Sequence, residues 1–142
     1  MINQKIEILP QIYYTHKIDH RNNSPEKSQW TISELQERNC FQLSLQSCLN
    51  QSPYISWGLY FEDDRVVYLG TSASNEPDFY QLFIAKFIDS SQNSNWHGYP
   101  ANPSCGKNQD IPPVNILRDW QQQNYLRTTT IRKISKGQRC RL

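Results

Sequence analysis

Short apolar runs alternate with polar stretches along the chain, and their spacing predicts a mixture of strands and helices. Residues 5–14 predict an opening strand that Pro10 interrupts, because proline cannot donate to a strand ladder. Thr31 and Glu34 have the spacing of a capping box, which predicts that a helix begins at Ile32. The chain is therefore expected to open with a strand and a helix joined by a polar connection.

The extent of this first helix depends on the apolar residues beyond its start. Phe41, Leu45 and Leu49 fit a helical stripe, whereas Phe41, Leu43 and Leu45 also alternate as they would in a strand. Helix is favoured because glutamine and leucine have better helix than strand propensity. Two short helices with a break near Asn39 accommodate the whole pattern.

Three further apolar runs predict the strands of one sheet. Residues 54–61 and 66–72 are rich in β-branched and aromatic side chains, and the acidic residues at 62–65 between them predict a hairpin. Residues 79–88 form a third run that is long enough for a central strand. These runs predict a small antiparallel sheet, a meander, packed against one or two helices.

A long polar stretch is followed by two helical patterns near the end of the chain. Residues 89–113 are rich in Asn, Ser, Gly and Pro and predict one loop, far longer than the usual connection. Residues 113–126 predict a helix that begins with proline. Residues 131–136 predict a short helix capped by Thr130 and closed by Gly137, with a strand as the alternative.

Length and composition indicate one compact domain. Of the 142 residues, 37% are hydrophobic and 12% aromatic, which is enough for a single core. No apolar run approaches the roughly 20 residues that cross a bilayer, and residues 1–12 lack a signal-peptide pattern. We expect a cytoplasmic protein without membrane contact: a single α+β domain over 1–142, with a long loop at 89–113 and a helical basic C-terminal segment at 127–142.

Charge is distributed unevenly along the chain. Residues 1–114 hold 8 Lys and Arg against 12 Asp and Glu, a net charge of −4, whereas residues 115–142 hold 7 against 1, a net charge of +6. Such asymmetry predicts a surface for an anionic partner, which is RNA, DNA or an acidic protein surface.

The cysteines and histidines do not have the spacing of a metal site. The four cysteines form no Cys-x-x-Cys pair, and we expect Cys40 and Cys48 to be small core residues. His16 and His20 are four residues apart, but they follow a strand pattern and precede a loop composition, so both are expected at the surface. We therefore predict no metal and no cofactor.

The segment 96–100 brings together side chains that bind bases and exchange protons. Trp96 and Tyr99 are able to stack on a base, and His97 is able to exchange a proton near neutral pH. The alternative is structural: Trp96 and Tyr99 pin the loop to the core while Gly98 and Pro100 form a turn.

The basic C-terminal segment is the second candidate site. On a helix over 131–136, Arg132 and Lys136 share one face and Lys133 lies beside them, which predicts a strip for phosphates. The alternative is a solvated tail. The predicted cationic contacts are Arg127, Arg132, Lys133, Lys136, Arg139 and Arg141.

The favoured function is a small binding module or subunit of a complex that engages the anionic partner through both candidate sites. The first alternative is a metal-independent ribonuclease in which His97 and Tyr99 transfer protons and Arg132 or Lys136 stabilises the transition state. The second is a protein-only inhibitor or adaptor with aromatic anchors. The early helix, meander and basic end are similar in outline to RelE-like ribonuclease toxins, a resemblance of architecture that implies no particular catalytic residue.

Overall fold

The computed structural model describes residues 4–47, 52–76 and 78–142. This part of the chain forms the strands β1 (Lys5–Leu9), β2 (Ile12–Thr15), β3 (Gln29–Trp30), β4 (Ile55–Gly58), β5 (Tyr60–Glu62), β6 (Arg65–Val67), β7 (Gly70–Thr71), β8 (Gln81–Leu82), β9 (Ile84–Ile88) and β10 (Asn95–Ala101). Its α-helices are α1 (Glu34–Ser44), α2 (Val114–Gln122) and α3 (Thr128–Ser135).

Five strands form the main sheet, in the order β1-β2-β10-β9-β4. The β2–β10 pair is parallel and the other pairs of this sheet are antiparallel. Smaller sheets are formed by β3-β7-β8 and by β5-β6. The order differs from a simple meander, because β4 pairs with β9 and the chain between them forms strands of the smaller sheets.

The helices pack on both faces of the main sheet, which confirms the α+β class with a sheet against helices. On one face, Cys40 and Phe41 of α1 join Phe87 and Trp96 of the sheet in a buried apolar cluster. On the other face, side chains of α2 and α3 join the second cluster, whose buried members are Trp57, Leu59, Phe83, Ile84, Ala101, Ile116, Leu117, Trp120, Leu126 and Ile134. Among the described residues, no helix has both the length and the apolar character needed to cross a bilayer.

Two tight turns show why local sequence specifies the hairpins. Gln11 follows Pro10 with a φ of 63°, so the proline starts a turn between β1 and β2. Asp63 and Asp64 have φ values of 51° and 63°, the left-handed pair that a type I′ turn requires between β5 and β6. The hairpin predicted at 62–65 is therefore confirmed.

The first helix begins two residues later than predicted. Ser33, not Thr31, is its N-cap: the Ser33 hydroxyl accepts the Gln36 amide N–H at 3.1 Å, and the Gln36 side chain accepts the Ser33 amide N–H at 2.8 Å. Thr31 is instead held in extended chain, where its amide N–H donates to the Leu69 carbonyl. The helix is continuous through Asn39, and Cys48 and Leu49 lie outside the described residues.

The two C-terminal helices are confirmed, and each ends in a left-handed residue. Asn124 (φ 61°) follows α2 and Gly137 (φ 67°) follows α3. After α3, the Gly137 amide donates to the Ile134 carbonyl and the Gln138 amide to the Lys133 carbonyl, which is the Schellman pattern. The predicted cap is wrong, because Thr130 lies buried inside the helix and Arg127 occupies the N-cap position.

The segment predicted as one loop, 89–113, contains β10, a seven-residue strand at the centre of the main sheet. Proline and glycine are accommodated there for different reasons. Only Asn95 and Trp96 pair with β2, so β2 does not pair with β10 near Pro100. This suits Pro100 because proline has no backbone N–H to donate to a neighbouring strand. Gly98 lies directly against the Phe87 ring, where a Cβ atom would clash.

Candidate functional site

Four cations of the basic segment line one groove beside α3. Arg127 precedes the helix, Lys133 lies on it, and Arg139 and Arg141 follow it; all four are exposed. The groove has a volume of about 330 Å³, and its other lining residues are Thr129, Thr130 and Cys140. We call this feature the basic groove.

The chain after α3 is packed against the domain, which brings its arginines back to the helix. Gly137 permits the reversal and lies close to the Pro103 carbonyl. Cys140 packs on the apolar cluster of α2 and α3, and the Leu142 amide donates to the Tyr68 hydroxyl at 3.1 Å. Arg139 and Arg141, on either side of Cys140, are therefore held beside Lys133.

The charges of the basic groove are largely uncompensated. In the described part of the chain, the only carboxylate that pairs with one of its cations is Asp78, whose Oδ2 lies 3.6 Å from Arg139 Nη1 with both side chains exposed. An exposed pair of this kind contributes little energy and is screened by salt. Arg127, Lys133 and Arg141 are thus available to an external anion.

Arg132 and Lys136 do not line the basic groove. Arg132 is exposed on α3, and Lys136 is exposed one turn later, at the C-cap; the groove includes neither side chain. The six cations predicted as one contact surface therefore divide into four around the groove and two beside it.

Aromatic rings lie beside two cations of the basic groove. The Arg139 guanidinium lies 4.3 Å from the centre of the Tyr80 ring, and Phe79, which precedes Tyr80 in the sequence, is 64% exposed. Tyr125, which is 42% exposed, lines an adjoining cavity together with Arg127. These rings are not among the predicted contacts, although the sequence shows an aromatic pair next to Asp78 and the run Tyr125-Leu126-Arg127.

Trp96 does not belong to the surface, which corrects its prediction as a base-stacking residue. Only 7% of Trp96 is exposed, and its ring packs on Phe41 of α1 at a centroid distance of 5.4 Å. The alternation of a strand explains the separation: Trp96 points to the α1 face, whereas Tyr99 packs on the cluster of α2 and α3.

His97 is a half-buried residue beside Ser90, with its Nε2 atom 3.3 Å from the Ser90 hydroxyl oxygen. Burial, together with the nearby charges of Lys17 and His20, lowers the pKa of His97 to about 4. The imidazole is therefore neutral near pH 7, and the imidazolium that would serve as a strong general acid is scarcely populated.

We expect the C–H resonances of the His97 ring to stay constant between pH 8 and pH 6 and to titrate near pH 4 in an NMR titration of the folded protein. Because the unfolded histidine takes up its proton near pH 6.5, protonation favours the unfolded chain as the pH falls from 6.5 towards 4. The H97Q variant should lose less stability over this window. A ring that titrates near pH 6.5 in the folded protein would contradict the buried environment.

Tyr99 is held by Asp110 and cannot release its proton readily. Its hydroxyl donates to Asp110 Oδ1 at 2.7 Å, and burial, then the Asp110 charge, raise the Tyr99 pKa well above its usual range. Its ring stacks on His20 at a centroid distance of 5.3 Å. Tyr99 is thus engaged with Asp110, whereas a neutral His97 is still able to accept a proton as a general base, so the ribonuclease alternative stays a prediction.

A buried charged cluster that the sequence did not reveal ties β2 to α1. Glu37 accepts hydrogen bonds from the Tyr14 hydroxyl and from Arg21, whose Nη2 lies 2.7 Å from Glu37 Oε1. His16 Nδ1 lies 3.1 Å from the same oxygen, and Arg38 Nη1 lies 3.0 Å from His16 Nε2. His16 is buried, so its predicted surface position is wrong; Tyr14 and Glu37 are also buried, whereas Arg21 and Arg38 are partly exposed.

Comparison with protein-family models, with curated proteins and with solved structures finds no match to this chain. Among the described residues, no three His, Cys, Asp or Glu side chains are grouped so that they could hold a metal ion. A function is therefore inferred from the geometry of the chain itself.

Proposed function

We propose that the protein binds single-stranded RNA through the basic groove. The observation that carries this proposal is the convergence of four exposed cations on one groove, three of them without a carboxylate partner in the described part of the chain. Arginine and lysine side chains neutralise phosphates and release counterions, which supplies most of the affinity for a nucleic acid. The remainder of the chain is acidic, so the phosphate backbone is directed to this groove.

The aromatic rings beside these cations favour a single-stranded nucleic acid over an acidic protein surface. Unpaired bases stack on exposed aromatic side chains while the phosphates follow a cationic groove. Tyr125 lines a cavity together with Arg127, and the exposed Phe79 precedes Tyr80, whose ring lies against the Arg139 guanidinium. Binding needs no proton transfer, so it agrees with the states of His97 and Tyr99. A cytoplasmic location and membership of a larger complex stay predictions.

Neighbouring residues on α3 provide a matched test of this proposal. Lys133→Glu should weaken binding of a fluorescent single-stranded RNA by roughly tenfold at 50 mM salt, because one phosphate contact is lost. Arg132→Glu makes the same change in charge outside the groove, as does Lys17→Glu on a distant loop, and each should weaken binding about threefold or less. Fluorescence anisotropy with RNA and with single-stranded DNA of the same sequence measures all three variants.

Salt dependence gives a second readout on the unmodified protein. Four phosphate contacts at about 0.7 log unit each predict a slope near −3 for log affinity against log salt concentration, or roughly a 50-fold loss between 50 and 200 mM salt. Equal effects of Lys133→Glu and Arg132→Glu, or affinity that salt does not change, would overturn the assignment. Binding to an acidic protein but not to RNA would show that the groove recognises a protein surface and would contradict the RNA-binding proposal.

A further inference from the structure

A second cavity, separate from the basic groove, lies over the main sheet and has a volume of about 310 Å³. Lys86 and Tyr99 face each other across β9 and β10 in its lining, next to Ile88. Its other walls include His20, Cys105 and Asp110. This volume falls at the lower end of the range for small-molecule sites.

Lys86 is a buried cation in this cavity. Only 6% of the residue is exposed, its Nζ atom donates to the Gln109 carbonyl at 2.6 Å, and it lies 5.2 Å from the centre of the Trp57 ring. In the described part of the chain, no carboxylate forms an ion pair with it. An ammonium has three donors, so the carbonyl leaves two of them for a ligand.

The nearest buried carboxylate, Asp110, is committed to other groups. Its Oδ1 accepts the Tyr99 hydroxyl at 2.7 Å, and its Oδ2 accepts the Asn102 amide N–H at 2.9 Å. Asp110 raises the Lys86 pKa, but burial outweighs it and leaves that pKa below its usual value. A buried charge without a paired counter-charge is costly, and a bound anion would offset that cost.

We propose that the Lys86 cavity binds the anionic group of a small organic molecule, a carboxylate or a phosphate ester. The apolar wall of Ile88 and the Tyr99 ring accommodates the organic part of such a ligand. Lys27 and Lys107 also line the cavity, but Glu26 and Glu76 do so as well, and their carboxylates disfavour a polyphosphate. This site is independent of the proposed RNA binding.

Thermal unfolding with two probes, benzoate and inorganic phosphate, tests the proposal and distinguishes carboxylate from phosphate recognition. At least one probe should raise the Tm of the wild-type protein saturably, with an apparent Kd on the order of 1 mM for so small a ligand. Lys86→Met keeps the length of the side chain and should weaken that response at least tenfold. Lys5→Met, at an exposed lysine of β1 that lines neither this cavity nor the basic groove, should respond as the wild type does.

Chemical modification of the wild-type protein provides a test that needs no folded variant. An amine-directed reagent followed by peptide mass spectrometry should modify Lys86 more slowly in the presence of the stabilising probe, while the exposed Lys17 reacts at an unchanged rate. The proposal would be overturned if neither probe raised the Tm or if Lys86→Met responded as the wild type does. It would also be overturned if the modification rate of Lys86 stayed the same in the presence of the probe. An RNA-binding result in either direction leaves this outcome unaffected.

Discussion

Glu37→Ala is expected to lower the free energy of unfolding by about 3 to 5 kcal/mol, the usual cost of removing one partner of a buried ion pair. Glu37 is 1% exposed and accepts hydrogen bonds from Tyr14 and Arg21. Without the carboxylate, the largely buried Arg21 guanidinium loses its counter-charge and the Tyr14 hydroxyl loses its acceptor. Urea denaturation followed by circular dichroism measures the change.

Glu34 provides the matched control for this prediction, because it is a glutamate in the first turn of the same helix and lies outside the charged cluster. Glu34→Ala should cost about 1 kcal/mol or less, the usual size of a favourable charge near a helix N-terminus. Glu37→Gln retains an acceptor for Tyr14 and should fall between the two. A loss below 1 kcal/mol in Glu37→Ala would show that the cluster does not stabilise the contact between β2 and α1.

Elements that depend on neighbouring residues were predictable from the sequence. The turn at Asp63 and Asp64 needs two residues that tolerate positive φ, and aspartate meets that need without help from the rest of the fold. Gly137 likewise ends α3 through the backbone conformation that glycine adopts most easily. The apolar spacing of α2 and α3 follows from burying one helix face against a sheet.

Elements that depend on distant residues were not predictable in this way. β10 has the composition of a loop, and it is a strand because β9 pairs with residues 97–101 and β2 pairs with its first two residues. The face on which each of its side chains lies follows from this pairing, and that is why Trp96 enters the core. The capping box at Ser33 was overlooked because Thr31 has the same local signature but donates its amide to Leu69.

The candidate sites show the same difference between features that depend on composition and features that depend on contacts with distant residues. Net charge alone identified the basic segment, since charge is a property of composition. The choice of Lys133 over its neighbour Arg132 required the path of the chain after Gly137, which brings Arg139 and Arg141 to one side of α3. The Lys86 cavity gave no sequence signal, because a lone lysine in an apolar run indicates nothing until its burial and its neighbours are known.

Reversing two charges of the basic groove together should produce the largest functional effect. Relative to 1 M salt, each phosphate contact with a single strand contributes about 0.9 log unit of affinity at 50 mM salt. Lys133→Glu together with Arg141→Glu removes two such contacts and should therefore weaken RNA binding at 50 mM salt roughly 100-fold. The deficit should shrink as salt rises, since screening removes the same contacts from the wild type. The control is Arg132→Glu with Lys136→Glu, which makes an equal change in net charge outside the groove. If this control lost as much affinity as the groove variant, the general positive charge of the C-terminal segment, and not the groove, would account for binding.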